Sequence, residues 1–237
     1  MLKKLFIFLI IFKFFAVSIS YSYDSKGEKI ESNKTGYVNQ GEHFYSFWKE
    51  CGDPHIILNE KGKYSSNWNE SRCNWVGGKG WRAHFIIDKI EAIHYEAKFD
   101  IKRDNGIYFG VYGWTTLPLI EYYILDSYGS NNPLNCQDGE LHGEYISNGA
   151  TYKVVKCQRV NKPSIEGTKT FDQYFSVRVP KKEMKEISGK INVKDHFDYW
   201  RSKGLYLGQY YYMILATESW DGSGTSEVEI TKVIFKK

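Results

Sequence analysis

After its first twenty residues the chain has no apolar run long enough to cross a bilayer as a helix. Its six histidines are scattered, with no HExxH and no paired Cys/His cluster, which excludes the common zinc sites. "VGGKGW" (76–81) offers Gly and Lys but lacks the first glycine spacing and the Ser/Thr of a phosphate-binding loop. "GSGTS" (222–226) sets Ser223 between two glycines, yet no strand-to-helix turn follows, so the nucleophile elbow of a serine hydrolase is missing. There is no internal repeat. Net charge is small as well, +4 over 237 residues. Without residues 1–20 it loses Lys3, Lys4 and Lys13 and falls to +1. A chain so nearly neutral is not expected to bind nucleic acid.

The start, "MLKKLFIFLIIFKFFAVSIS", has a basic beginning, an apolar stretch and small residues near its end. That pattern predicts a secretory signal peptide over residues 1–20 and a secreted, extracellular product, with no membrane association once the signal is removed. Lys13 interrupts the run and argues against an anchor. Export permits disulfides. Cys51, Cys73, Cys136 and Cys157 allow three pairings, and the sequential one, Cys51–Cys73 with Cys136–Cys157, closes two loops of similar size. Asn33-Lys34-Thr35 and Asn69-Glu70-Ser71 are glycosylation sequons. Residues 21–35 are polar and read as a leader, with one domain over 36–237.

What is abundant is aromatic: 17% of residues, including 19 Tyr and seven Trp. Rings with an apolar face and a polar tip suit a long wet groove. Short runs such as "HFYSFW", "WRAHFIID", "GIYFGVYGW", "IEYYILDSY" and "QYYYMILATE" are bounded by Gly, Asn, Asp or Pro and read as strands. Only "NVKDHFDYWRSKG" (192–204) has helical spacing, at Phe197, Trp200 and Arg201, with Gly204 as a stop. Many strands and one helix predict an all-β two-sheet sandwich of the jelly-roll kind.

Alternation along a strand puts Glu121, Tyr123 and Leu125 on one face of "PLIEYYILDSY" (118–128), with Ile120, Tyr122 and Ile124 on the other. In "QYYYMILATESW" (209–220) it puts Tyr210, Tyr212, Ile214, Ala216 and Glu218 on one face. Two strands thus each present a glutamate beside tyrosines. A pair of carboxylates flanking a sugar is what glycoside hydrolysis requires. The competing explanation is that each glutamate points to solvent, and the pattern alone does not bring the two together.

The ordered blocks "FYSFW", "NWVGGKGW", "YGWTTLPLIEYYILDSYG", "RVNKPSIEGTKTFDQYFSVR" and "ATESWDGSGTSEVEI" resemble glycoside hydrolase family 11, the small jelly-roll endo-1,4-β-xylanases, over about residues 36–236. The resemblance implies a cleft on a β-sandwich and a thumb loop, "NKPSIEG" (161–167), over it. It implies hydrolysis of xylan or xylo-oligosaccharides with retention of configuration, without metal or other cofactor, by a monomer. Glu121 matches the nucleophile and Glu218 the acid/base, about 5–5.5 Å apart in a retaining enzyme. Trp48 would stack on a sugar ring, Tyr112 and Tyr123 would bond near the reacting ring, and Arg159 would orient substrate and nucleophile. Pro163 would offer its carbonyl, Gln173 and Tyr212 would complete the lining, and Asn74 stands beside the acid/base. Family strand order also sets Cys51 beside Cys73.

Ser219-Trp220-Asp221 replaces the usual Gly-Tyr-Gln, so Asp221 is expected to add a third carboxylate that raises the pKa of Glu218. Phe44, Leu117 and Phe175 also depart from the family's usual residues. Two competing readings remain: a non-catalytic xylan-binding jelly roll, and a related jelly-roll β-1,4-glucanase.

Overall fold

A computed structural model describes residues 23–24, 27–38 and 43–236; the expected signal peptide lies outside them. In chain order the described strands are β1 (Tyr23–Asp24), β2 (Glu28–Ile30), β3 (Lys34–Val38), β4 (His43–Lys49), β5 (His55–Leu58) and β6 (Lys63–Arg82). After the short helix α1 (His84–Ile87) come β7 (Ile90–Thr116), β8 (Ile120–Tyr128), β9 (Glu140–Ser147), β10 (Ala150–Ser164), β11 (Gly167–Val179) and β12 (Glu186–Ile191). Helix α2 (Val193–Ser202) precedes the last strand, β13 (Gln209–Phe235). Among the described residues the fold is therefore the expected β-sandwich with one substantial helix.

Three long strands build both layers. The end of β6 near Gly80 pairs with β4, while its start near Ser66 pairs with β5. In β7, residues 93–98 pair with β12 and residues 108–115 with β8. β13 lies between β6 and β7 for most of its length. One layer runs β1-β3-β4-β6-β13-β7-β8-β11-β10-β9, and β2-β5 and β12 flank the same long strands in the other. The ladder slips between Ser219 and Asp221, where the long strands pass from layer to layer. Bulges are how strands turn such corners.

Between the layers lies the main core, which contains Ile120, Tyr122 and Ile124 from β8 with Tyr64, Tyr95, Phe109 and Val228. Helix α2 closes it. Val193, His196, Phe197 and Trp200, at helical spacing, are buried, and Phe197 and Trp200 meet the Tyr122 ring edge-on at 5.5 and 6.2 Å. Arg201, expected on that face, is exposed. Gly204, at φ 77°, ends the helix in a conformation that favours glycine. Asp126 on β8 is fully buried. It accepts hydrogen bonds from the Tyr95 and Tyr152 hydroxyls and pairs with Lys182 Nζ at 3.4 Å, which offsets the cost of burying it. Packing behind β8 thus fixes the strand whose other face carries Glu121.

Two local expectations are corrected. "WRAHFIID" is not one strand: β6 stops at Arg82 and His84–Ile87 form a helical turn, with Ile87 buried and Phe85 exposed. The polar residues read as a leader include β2 and the start of β3, paired with β5 and β4; Ile30 is buried there, as is Val38 at the far end of β3. The four cysteines form Cys51–Cys73 and Cys136–Cys157.

Candidate active site

On the face of the first layer turned away from the core lies a second apolar sheet surface, formed by Phe44, Val76, Tyr112, Trp114, Tyr123, Leu125, Phe175, Tyr212, Ile214 and Ala216 among others. Above it is a cavity of about 780 Å³. Trp48, Asn74, Tyr112, Glu121, Tyr123, Arg159, Pro163, Gln173, Tyr212 and Glu218 all line it. Every sequence-expected catalytic and sugar-binding residue is therefore on one surface, supplied by β4, β6, β7, β8, β10, β11 and β13. The thumb is the hairpin between β10 and β11. Its tip is closed by Ser164 Oγ, which donates to Gly167 O at 2.6 Å and accepts from Glu166 N at 3.0 Å.

Strand β7 lies between the two glutamates. Glu121 stands opposite Trp114 on one side of it, and Glu218 opposite Tyr108 on the other. Glu121 is 8% exposed and heavily bonded. Its Oε1 accepts from Tyr112 Oη at 2.8 Å and Tyr123 Oη at 3.1 Å, and its Oε2 from Gln173 Nε2 at 2.5 Å. Trp114 Nε1 in turn donates to Tyr112 Oη at 2.7 Å, so that hydroxyl is oriented to donate to the carboxylate. Burial raises the pKa of Glu121, while these three donors and the Arg159 charge oppose the rise. The shift is still upward, but the three donors support the charged form and fix the carboxylate in place.

Glu218 is 6% exposed and much less supported. Asn74 Nδ2 donates to Oε1 at 3.3 Å, and Oε2 is buried without a hydrogen-bond partner. Burial, then the charge of Glu121, pushes its pKa up to about 8, against the Asn74 hydrogen bond, the nearby Tyr123 hydroxyl and the charge of Arg159. The Tyr123 hydroxyl interacts with both carboxylates. Burial and the adjacent carboxylates hold Tyr112 and Tyr123 well above the ordinary tyrosine value, so both remain donors. The cleft therefore holds one carboxyl suited to charge and one suited to keeping its proton.

Asp221 is not among the main causes of the Glu218 shift. At the slip between Ser219 and Asp221 its side chain turns toward Arg103 Nε, 3.6 Å away, and accepts from Asn105 Nδ2 at 3.3 Å. Tyr210 also leaves the expected face. A slip between Tyr210 and Tyr212 turns it into the main core, where it stacks on Phe197 at 5.2 Å. Of the departures, Phe175 lines the cavity and stacks on Tyr123 at 4.5 Å, while Phe44 is buried beneath it against Tyr212 at 5.5 Å. Leu117 is 83% exposed in the turn before β8 and does not line the cleft.

Trp114, Tyr108 and Phe171, not singled out from the sequence, also line the cavity, as does Trp220 of the Ser219-Trp220-Asp221 departure. Alternation from Tyr112 would have found Trp114 and Tyr108. Trp220 meets Tyr108 edge-on at 4.7 Å. It lies so close over Gly106 that a Cβ there would sit 2.5 Å from the indole.

Comparison with known proteins agrees with this geometry. The family model for glycosyl hydrolases family 11 matches residues 40–229. An endo-1,4-beta-xylanase of Phaedon cochleariae is 45% identical over 85% of this chain and 94% of its own length. The bifunctional xylanase/xylan deacetylase of Cellvibrio japonicus is 46% identical over 86% of this chain, which spans only 30% of that protein. Endo-1,4-beta-xylanase Xyn11B of the same organism is 45% identical over 86% of this chain and 56% of its own length. A solved structure from a comparison of two major endo-1,4-beta-xylanases from Trichodrema reesei superposes with a TM-score of 0.67 at 34% identity, over 79% of this chain and 97% of that one. The chain belongs to glycosyl hydrolase family 11.

Proposed function

We propose that the protein is an exported endo-1,4-β-xylanase that cleaves internal bonds of xylan with retention of configuration. The observation that carries this reading is the pair of equally buried but oppositely supported carboxyls in one cleft. The ionised Glu121 attacks the anomeric carbon of a bound xylose unit. As that bond forms, the glycosidic C–O bond breaks and Glu218 gives its proton to the departing oxygen. In the second step the Glu218 carboxylate takes a proton from water, whose oxygen attacks the same carbon and releases Glu121. Tyr112, Tyr123 and Gln173 hold the nucleophile, Asn74 positions the acid, and Arg159 tempers the charge of both. Trp48, Arg159 and the thumb residue Pro163 line the cavity, which supports a role for them in gripping the chain. Export is supported by the charged-then-apolar start and by two disulfides.

Release of reducing sugar from xylan and from carboxymethyl cellulose tests this, with Glu121→Ala and Glu218→Ala as controls. Release of xylo-oligosaccharides by the wild type and by neither variant is the expected result. Activity on carboxymethyl cellulose alone would make it a glucanase, and xylan binding without hydrolysis would make it a binding protein.

A further inference from the structure

Charge is unevenly balanced along the thumb hairpin. At its base Lys156 pairs with Asp172 at 3.5 Å and with Glu140 at 3.9 Å, and Gln158 Nε2 donates to Asp172 at 3.2 Å. Nearer the tip the ladder slips between Arg159 and Lys162, and beyond the slip Lys162 stands directly opposite Lys169. Opposed residues share one face of a strand pair, with Cβ atoms about 4.5–5.5 Å apart, and like charges so placed repel. Both lysines are exposed, and among the described residues neither ammonium meets a carboxylate. Glu166, the one acid between them along the chain, forms no ion pair with either.

Lys162 also lines the cavity, together with two other cations, Lys34 and Arg159. Lys34 Nζ pairs with Glu28 at 3.4 Å, and the Arg159 charge acts on Glu121 and Glu218. Lys162 is thus the lining cation whose charge no described group offsets, and Lys169 doubles the positive charge on the same face. An unopposed pair of this kind weakens the hairpin and is relieved when an anion binds beside it. A chain of unsubstituted xylose is neutral and gives an ammonium no charge to meet. The acid groups that xylan carries are uronic acid branches, and their carboxylates accept strong charge-assisted hydrogen bonds from ammonium groups. Flexible four-carbon stems let both lysines follow a branch that projects from the backbone.

We propose that Lys162 and Lys169 form a carboxylate-binding site on the thumb, which takes the uronic acid branch of a xylan chain held in the cleft and so favours acid-decorated xylan over neutral xylan. The inference rests on the xylan reading above. Both lysines are exposed, so the attraction is screened by salt, over about 10 Å at 0.1 M and about 3 Å at 1 M.

The test uses glucuronoxylan and the same polymer after its carboxyl groups have been reduced to alcohols, which keeps the branches and removes their charge. Wild-type turnover of unbranched xylohexaose checks the xylan reading first; its absence overturns that reading, and the site with it. Given turnover, wild-type kcat/KM should be about threefold to tenfold higher on the acidic polymer than on the reduced one, mainly through KM. Lys162→Gln/Lys169→Gln should bring that ratio close to one, while Lys162→Arg/Lys169→Arg should keep it. Adding about 0.5 M sodium chloride should bring the wild-type ratio toward one as well. The ratio compares two substrates of a single preparation, so a partly unfolded variant does not distort it. A wild-type ratio near one or indifferent to salt would overturn the proposal. So would a Gln variant that keeps the wild-type ratio, or an Arg variant that loses it.

Discussion

Glu121 and Glu218 are almost equally hidden from solvent, at 8% and 6% exposure, yet their surroundings differ sharply. Three side chains donate to Glu121, and a fourth, Trp114, orients one of them. Glu218 has an amide at 3.3 Å and one oxygen without a partner. Burial raises the pKa of both, and the donors oppose that rise more strongly at Glu121. Exposure alone says little about a carboxyl's role; the count and geometry of the donors around it divide the work.

The largest expected effect would break the pair outright. Glu121→Gln should lower kcat/KM on xylan by about 10⁴-fold or more, and Glu218→Gln by about 10²–10⁴-fold. The two differ on an aryl glycoside whose leaving group needs no proton: Glu218→Gln should still release a burst of phenolate, and Glu121→Gln none. Equal behaviour in a stopped-flow trace would contradict the division of roles. Next in size is Tyr112→Phe, which removes one of the Glu121 donors and leaves the Trp114 N–H without its acceptor. A hydrogen bond to a charged group is worth about 1.5–3 kcal/mol, so kcat/KM should fall about 10–100-fold. The acidic limb of the pH profile should also move up as the Glu121 pKa rises.

The third effect concerns stability. The pKa of Glu218 is raised in the fold, so its contribution is fully present below the unfolded value near 4.5 and is lost as pH climbs through about 8. Glu218→Gln keeps the shape without the titration. Its melting temperature relative to the wild type should therefore increase with pH, by on the order of 5 °C between pH 5 and pH 9. A constant difference across that range would show that Glu218 is not held protonated. The smallest effect is a test of orientation. Asp221 faces Arg103 rather than the cleft, so Asp221→Asn should leave the alkaline limb, set by Glu218, within about 0.3 pH units of the wild type. A larger downward movement would return Asp221 to the neighbourhood of Glu218.

Much of this was legible in the chain. Period-2 alternation placed Tyr123 and Leu125 with Glu121 and sent Ile120, Tyr122 and Ile124 to the core, and β8 is regular enough for that to hold. The same rule failed in β13 at the slip between Tyr210 and Tyr212, which turned Tyr210 into the core, because a single extra residue exchanges the two faces of a strand. Nothing in the local composition marks that slip. Polar composition likewise concealed β2 and β3, which are held by pairing with β4 and β5 rather than by their own apolar content.

By itself the sequence determined the class of fold, the one substantial helix and the two glutamates on aromatic strands. These follow from local periodicity and from motifs short enough to read along the chain. Only the tertiary structure decided which glutamate has three donors and which has an orphan oxygen. The groups responsible, Asn74, Tyr112, Tyr123, Arg159 and Gln173, come from five strands. The free energy of a buried charge depends on what surrounds it in space, and no spacing along a chain encodes that.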